Sequence, residues 1–302
     1  MTDPELVARL QIAALDWFDR AGRRFAFRGT RDPYAVLVSE VILQQTQVSR
    51  GEPAWRAFMA RFPTFEALAA SSPADVLRAW AGLGYNRRAL ALRQTAVAVV
   101  ERHGGRLPED TASLRSLPGI GPYTARVLQA IAFGRPAAAM DTNVRRVLGR
   151  VFFAHGSRWD GGPEPPIREL QALADAVMPA DRPADWTAAL MDIGASLCHP
   201  RRPDCDACPL AGECRYALAR GEHGSGRAPR KAREAPVAYE STSRWLRGRI
   251  IERLRALRDG EWTTINAPLG EHDAPAIEAA VAGLAREGLL ERDATGRVRL
   301  PD

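Results

Sequence analysis

The chain has 302 residues, 46% of them hydrophobic and 26% charged, with a formal net charge of +6 and a sequence pI near 9.6. That is enough apolar material for a buried core and for more than one domain. No apolar run reaches the roughly 18 residues of a membrane span, and Asp3 and Glu5 stand where a secretory signal is basic. The expectation is a soluble cytoplasmic chain with no membrane partner and a positive balance that favours a polyanion. Lys231 is the one lysine among 42 basic residues, so chemistry by a side-chain amine has almost nothing to draw on.

Residues 5–19 place Leu6, Leu10, Ala13, Ala14, Trp17 and Phe18 at helical spacing and predict an amphipathic helix. Residues 20–33 are irregular and end on Asp32-Pro33, an N-cap acceptor followed by proline in the first turn. The helix that follows, from 34 to about 48, carries Leu37, Val38, Val41 and Ile42 on one side and Glu40, Gln44, Gln45 and Thr46 on another. Helices over 55–62 and 73–81, the second capped by Ser71-Ser72, lead to Gly82-Leu83-Gly84-Tyr85. Helices at about 86–103 and 110–116 come next, then the hairpin Leu117-Pro118-Gly119-Ile120-Gly121-Pro122. Gly119 and Gly121 leave the hairpin backbone uncovered, so its amides form an anion site at the start of the helix near Pro122.

Asp141 closes the apolar run 136–140 and sits as an N-cap before a helix over 144–153. A polar Gly/Pro-rich loop at 155–166 separates it from helices over 167–178 and 185–196. No segment before residue 214 alternates with period two, so the fold is expected to be mainly α. Residues 217–240 read as a linker. Beyond it, amphipathic helices over 242–258 and 274–287 and a hairpin around Ala294-Thr295-Gly296 give a small winged-helix-like α+β domain over 241–302.

All four cysteines, Cys198, Cys205, Cys208 and Cys214, fall within seventeen residues, so none is left for a disulfide framework elsewhere. Zinc and an iron–sulfur cluster both accept four thiolates. A zinc ribbon pairs two CxxC knuckles, and here one such pair has two outlying cysteines at unequal distances, which favours a 4Fe-4S iron–sulfur cluster. With every coordination site taken by protein, its expected role is structural. Arg201 and Arg202 in the intervening loop suit phosphates.

The LPGIGPYT hairpin, an aspartate about twenty residues later and the Cys-x6-Cys-x2-Cys-x5-Cys loop together resemble the helix-hairpin-helix, iron–sulfur DNA glycosylases over roughly residues 20–215. Within that superfamily, Ser39-Glu40-Val41-Ile42-Leu43-Gln44-Gln45-Thr46-Gln47-Val48 and Gly82-Leu83-Gly84-Tyr85 are similar to adenine glycosylases of the MutY type. The resemblance implies a two-lobed helical glycosylase fold over 1–216, with one lobe at about 30–136 and a second from 1–29 plus 137–216 that holds the cluster loop 198–214. It also implies a base-excision repair enzyme that acts, as a nucleoid-associated monomer, on double-stranded DNA with a mismatched or damaged base pair. Endonuclease III-type relatives carry a lysine two residues after the second hairpin glycine, where this chain has Tyr123. A Schiff-base lyase step is therefore not expected.

Cleaving the bond to adenine needs a proton on the departing base and an anion beside a sugar that becomes oxocarbenium-like. Two carboxylates meet that need. Glu40, on a mostly apolar helix face, is the candidate acid, with burial expected to favour its protonated form; Asp141, at a helix start, is the candidate anion. The resemblance assigns Asn143 and Tyr123 to the same pocket. The base must first leave the duplex, and Gln45, Thr46, Leu83, Gly84 and Tyr85 match family positions that enter the stack or touch the opposite base. Arg28 matches a position near the base pocket. MutY-type enzymes usually end in a domain resembling nucleotide-sanitising hydrolases that helps to recognise 8-oxoguanine, whereas residues 241–302 are of another kind. They either bind DNA through Arg244, Arg247, Arg249 and Arg253, bind a protein partner, or cap the fold. The rival readings are a thymine or uracil glycosylase at mismatched guanine and a catalytically silent DNA-binding iron–sulfur protein.

Overall fold

The computed structural model of the protein describes residues 3–154, 165–223 and 238–302. In chain order its helices are α1 (Pro4–Ala21), α2 (Pro33–Leu43), α3 (Val48–Arg61), α4 (Phe65–Ala70), α5 (Pro73–Ala79), α6 (Arg87–His103) and α7 (Thr111–Ser116). There follow α8 (Pro122–Val127), α9 (Thr142–Phe153), α10 (Ile167–Ala176), α11 (Pro183–Ser196), α12 (Arg215–His223), α13 (Ser243–Arg255) and α14 (Ala274–Arg286). The described strands are β1 (Glu291–Arg292) and β2 (Val298–Arg299). The expected mainly helical character is what the chain adopts. It divides into two compact units, one of residues 1–37, 109–115 and 120–229, the other of 38–108, 116–119 and 230–302.

In the first unit, α1 packs on α11 and α11 on α9. Leu10, Ala14, Val144, Val147, Leu148, Leu170, Trp186, Leu190 and Ile193 share one core with Leu210 and Cys214 of the cysteine loop. Gly194 permits the close approach of α11 to α9, since a Cβ there would stand 2.5 Å from the Asn143 Cβ. In the second unit, α4 and α5 pack on α6, and α13 packs on α14 and α5. Phe58 meets Trp80 edge-on at 5.7 Å between ring centroids. β1 and β2 pair antiparallel, Glu291 opposite Arg299 and Arg292 opposite Val298. Asp293 closes their turn by accepting from the Thr295 and Arg297 amides, each at 2.9 Å.

Two elements differ from the sequence expectation. The helix read over 34–48 stops at Leu43, and α3 begins at Val48 with Gln45 between them in the left-handed region at φ 56°. The carbonyls freed at that end are collected by Arg88, which is distant in sequence. The linker read from residue 217 begins later, because Tyr216 and Ala217 pack against the first unit's core and carry α12 to His223. Most of the expected linker and most of the loop at 155–166 lie outside the described residues.

Candidate active site

Asp141 N-caps α9, as its position after the apolar run predicts. Its Oδ1 accepts from the backbone amides of Asn143 at 2.8 Å and Val144 at 2.7 Å, and its Oδ2 accepts from Asn143 Nδ2 at 2.9 Å. Both oxygens are thus oriented by N–H donors at a helix N-terminus, where the dipole favours an anion. Asn143 is itself held, its Oδ1 accepting from Arg146 Nη2 at 2.7 Å. Arg146 also donates to the Gly194 carbonyl and, through Nε, to the Cys198 carbonyl, each at 2.6 Å. The carboxylate orientation is therefore tied by successive hydrogen bonds to the cysteine loop. Tyr123 lies half-buried in the first turn of α8, in the same unit; Glu40 lies half-buried near the end of α2, in the second unit.

The turn after α2 and the loop after α5 are joined by one guanidinium. Arg88 Nη1 donates to the carbonyls of Val41 at 2.8 Å, Ile42 at 3.3 Å and Gln44, while Nη2 donates to those of Leu83 at 3.3 Å and Gly84 at 3.2 Å. Trp80 Nε1 donates to Gly84 O at 3.1 Å, and Arg50 to Gly82 O. Gly82 and Gly84 take φ of 78° and 69°, and Tyr85 takes 47°, a conformation that strains a residue with a Cβ. Tyr85 is 43% exposed whereas Leu83 is only 8% exposed. Tyr85 thus meets solvent, and Leu83 packs inward. Thr46 and Gln45 belong to the same fastened turn, with Thr46 Oγ1 donating to Gln44 O at 3.4 Å.

At the hairpin, Gly119 adopts φ 75° and a Cβ there would meet the Ala91 Cβ at 3.2 Å. The buried Thr95 hydroxyl donates to the Pro118 carbonyl, which fixes that side of the turn. Gly121 is the N-cap of α8 with φ −85°, and its surroundings would leave a Cβ in open space. Arg28 is held by a buried carboxylate. Its Nη1 and Nη2 donate to Asp192 at 2.5 and 2.7 Å, Arg23 donates to the same carboxylate, and Asp192 is fully buried.

Cys198, Cys205, Cys208 and Cys214 line one cavity together with Arg150, Pro203, Asp204, Ala211, Tyr216 and Ala217. Arg150, itself buried, donates to Cys198 Sγ at 3.2 Å and to the carbonyls of His199 at 2.8 Å and Pro200 at 2.9 Å. Burial pushes the thiol of Cys208 up to about 12 and that of Cys214 up to about 11. Among the described residues, no group of three or more His, Cys, Asp or Glu side chains is drawn together to hold a metal ion.

Sequence reasoning missed Arg88, Arg146 and Arg150. Each lies beside a motif that was read, but among 42 basic residues nothing in the sequence marks which guanidiniums turn inward.

An adenine DNA glycosylase of Mycolicibacterium smegmatis is 38% identical to this chain over 294 residues, spanning 96% of it and 95% of the relative. The chain belongs to the adenine DNA glycosylase family. The model of the HhH-GPD superfamily of base excision DNA repair proteins matches residues 38–162, which include the Glu40 helix, the loop at 82–85, the hairpin and Asp141. The human member of the adenine DNA glycosylase family is 40% identical over 218 residues, or 69% of this chain and 39% of its own length. The glycosylase fold extends further, since a thermostable thymine-DNA glycosylase superposes with a TM-score of 0.64 at 28% identity, covering 71% of this chain and 98% of that one. The match to the mycobacterial relative runs almost end to end, so the short C-terminal module here does not set this chain apart from that family member.

Proposed function

We propose that this chain is a base-excision enzyme that hydrolyses the N-glycosidic bond of adenine mispaired with 8-oxoguanine or guanine in duplex DNA, without cutting the strand itself. The observation that carries this reading is the Asp141 carboxylate, held by three N–H donors so that its charge lies at the start of α9. As the bond between C1′ and the base breaks, its electrons leave with adenine and the sugar becomes cationic. Asp141 stabilises that cation electrostatically, and Asn143 keeps the carboxylate from turning away. Glu40 gives its proton to a nitrogen of the departing base. Water then bonds to C1′, its spare proton returns to Glu40, and the products are free adenine and an abasic site. Tyr123 stands where a lyase of this superfamily has its amine, and Lys231 lies outside the described residues in the segment read as linker. With Tyr123 at that position and a single lysine in the sequence, this reading includes no Schiff-base step.

The Gly119–Gly121 hairpin grips a backbone phosphate and fixes register without reading sequence. Tyr85 enters the stack beside the emptied position, with Gln45 and Thr46 on the adjoining turn; Leu83, packed inward, supports the loop. The four cysteines, one CxxC pair with two outliers at unequal spacing, suit a 4Fe-4S cluster better than a single zinc. Thiols pushed up by burial become thiolates only against strong positive charge, which the cluster supplies when bound. Arg150 then donates to the Cys198 sulfur.

The test is single-turnover base release from duplexes containing adenine opposite 8-oxoguanine, adenine opposite guanine, and thymine or uracil opposite guanine. Adenine release is expected, lowered by about 10²–10³-fold in Asp141→Asn and to a similar degree in Glu40→Gln. Release of thymine without adenine would select the rival suggested by the thymine-DNA glycosylase likeness. Unchanged adenine release in both variants rejects the mechanism.

A further inference from the structure

The C-terminal module has the wrong charge for an independent duplex-binding domain. Residues 238–302 hold ten arginines and eleven aspartates or glutamates, whereas binding by counterion release needs a surplus of cations. Half of these arginines are also paired inside the module: Arg247 with Glu287 at 2.7 Å, Arg249 with Glu252 at 2.6 Å, Arg292 with Glu278 at 2.5 Å, Arg297 with Asp293 at 2.8 Å, and Arg299 with Glu291 at 2.7 Å.

Two arginines of α13 are directed differently. The Arg244 guanidinium lies 4.4 Å from the centroid of the Tyr85 ring. Arg255 is half-buried, donating from Nε to Leu77 O and from Nη2 to Asn86 Oδ1, each at 2.8 Å. Leu77 precedes the loop at 82–85 and Asn86 follows it, so one side chain bridges both flanks. From the other direction, Arg78 Nη2 donates to Leu257 O at 3.2 Å, and Nη1 pairs with Asp259. The start of α13 is fixed too. Thr242 caps it by accepting from Trp245 N at 3.2 Å, and Trp245 stacks on His272 at 5.7 Å. Gly270, at φ 61°, lets Trp245 sit where a Cβ would stand 2.5 Å from the indole.

We propose that the C-terminal module is a splint for the loop at 82–86, and that Arg244 is a positioning residue holding the Tyr85 ring in the pose that enters duplex DNA. The inference rests on the reading that Tyr85 enters the stack. An exposed tyrosine on a left-handed backbone has little to hold its pose beyond the Arg88 guanidinium 5.5 Å from its ring centroid, and the nearer guanidinium of Arg244 restricts it further before DNA arrives. Arg255 keeps the loop ends, and hence Arg244, in register with the ring.

The test uses the full chain and a duplex carrying non-cleavable 2′-fluoro-adenosine opposite guanine, with 2-aminopurine next to the mismatch to report unstacking. Arg244→Ala is expected to weaken binding and reduce the fluorescence rise by about two- to fivefold, the scale of an exposed cation–π contact. Tyr85→Ala lowers both, and the double variant equals Tyr85→Ala alone, because Arg244 acts only through the ring. The slope of log affinity against log salt stays unchanged in Arg244→Ala, whereas loss of a phosphate contact lowers it by about 0.9. Arg255→Met, which breaks the splint without touching Arg244, is expected to reproduce the loss. Additive effects in the double variant, a reduced salt slope, or full binding and signal in Arg244→Ala or Tyr85→Ala would overturn the proposal. None of these readouts requires base release: a chain that releases no adenine but keeps the coupling refutes only the proposed function, and one that releases adenine without coupling refutes only the splint.

Discussion

Asp192 shows how a single carboxylate serves the fold. Burial pushes its carboxyl up, but the bonds and charges of Arg28 and Arg23 outweigh that and hold it below the ordinary 3.8. A depressed value in the folded state means that the group stabilises the fold above the unfolded-state value and loses that contribution as pH falls through the folded one. Asp192→Asn leaves two guanidiniums without an anion and is expected to cost about 3–5 kcal/mol. Urea unfolding measures this at neutral pH. The same titration carried below about pH 4 should show the gap between variant and parent closing; a constant gap would mean that Asp192 is not the group losing its charge. The resemblance matches Arg28 to a position near the base pocket. Its side chain pairs with a carboxylate 164 residues later, and a contact at that separation leaves no local pattern to read.

At the scale of elements, the close crossing of α9 and α11 depends on Gly194. An alanine there meets the Asn143 Cβ at 2.5 Å and its Cα at 3.0 Å, so the helices must part. Gly194→Ala is expected to destabilise the protein by about 1–3 kcal/mol and to slow base release by a larger factor than the folded fraction explains, since it moves the residue that orients Asp141. Thermal unfolding beside single-turnover kinetics separates the two effects. α1, α9 and α11 were legible because apolar spacing and capping residues are local signals, and so was the Asp141 cap. The break between α2 and α3 was not. Glu40, Gln44 and Gln45 continue an acceptable helical pattern, and what ends the helix is a guanidinium more than forty residues later taking its last carbonyls. Arg88→Lys keeps the charge but loses the planar fork. The expected outcome is weaker binding of mismatched duplex with a small change in melting temperature; unaltered binding would show that the fork does not set the turns.

For the whole molecule, the cysteine loop is a structural member of the first unit. Leu210 and Cys214 share a core with α1, α9, α10 and α11, so taking out what the four thiols hold loosens the packing on which α9 rests. Purified protein is expected to be brown, with iron and acid-labile sulfide in near-equal amounts, and oxidative removal of the iron should lower the melting temperature and slow base release together. Colourless protein with one zinc per chain would reject the cluster. The cysteine spacing was readable because four ligands in one short segment form a local signal. The attachment of the C-terminal module was not, since Arg244 and Arg255 look like any other arginine on an amphipathic helix until Tyr85 and Asn86 are placed beside them.

The guanidinium of Arg88 has a further consequence. Because it serves carbonyls on both sides at once, the Gln45 turn and the Tyr85 loop are mechanically one part, and neither can shift by an ångström without releasing bonds to the other. Its Nε is buried with no hydrogen-bond partner among the described residues, and burial lowers its affinity for a proton. On the proposed reading, in which both turns meet DNA, a duplex that displaces one of them displaces the other with it.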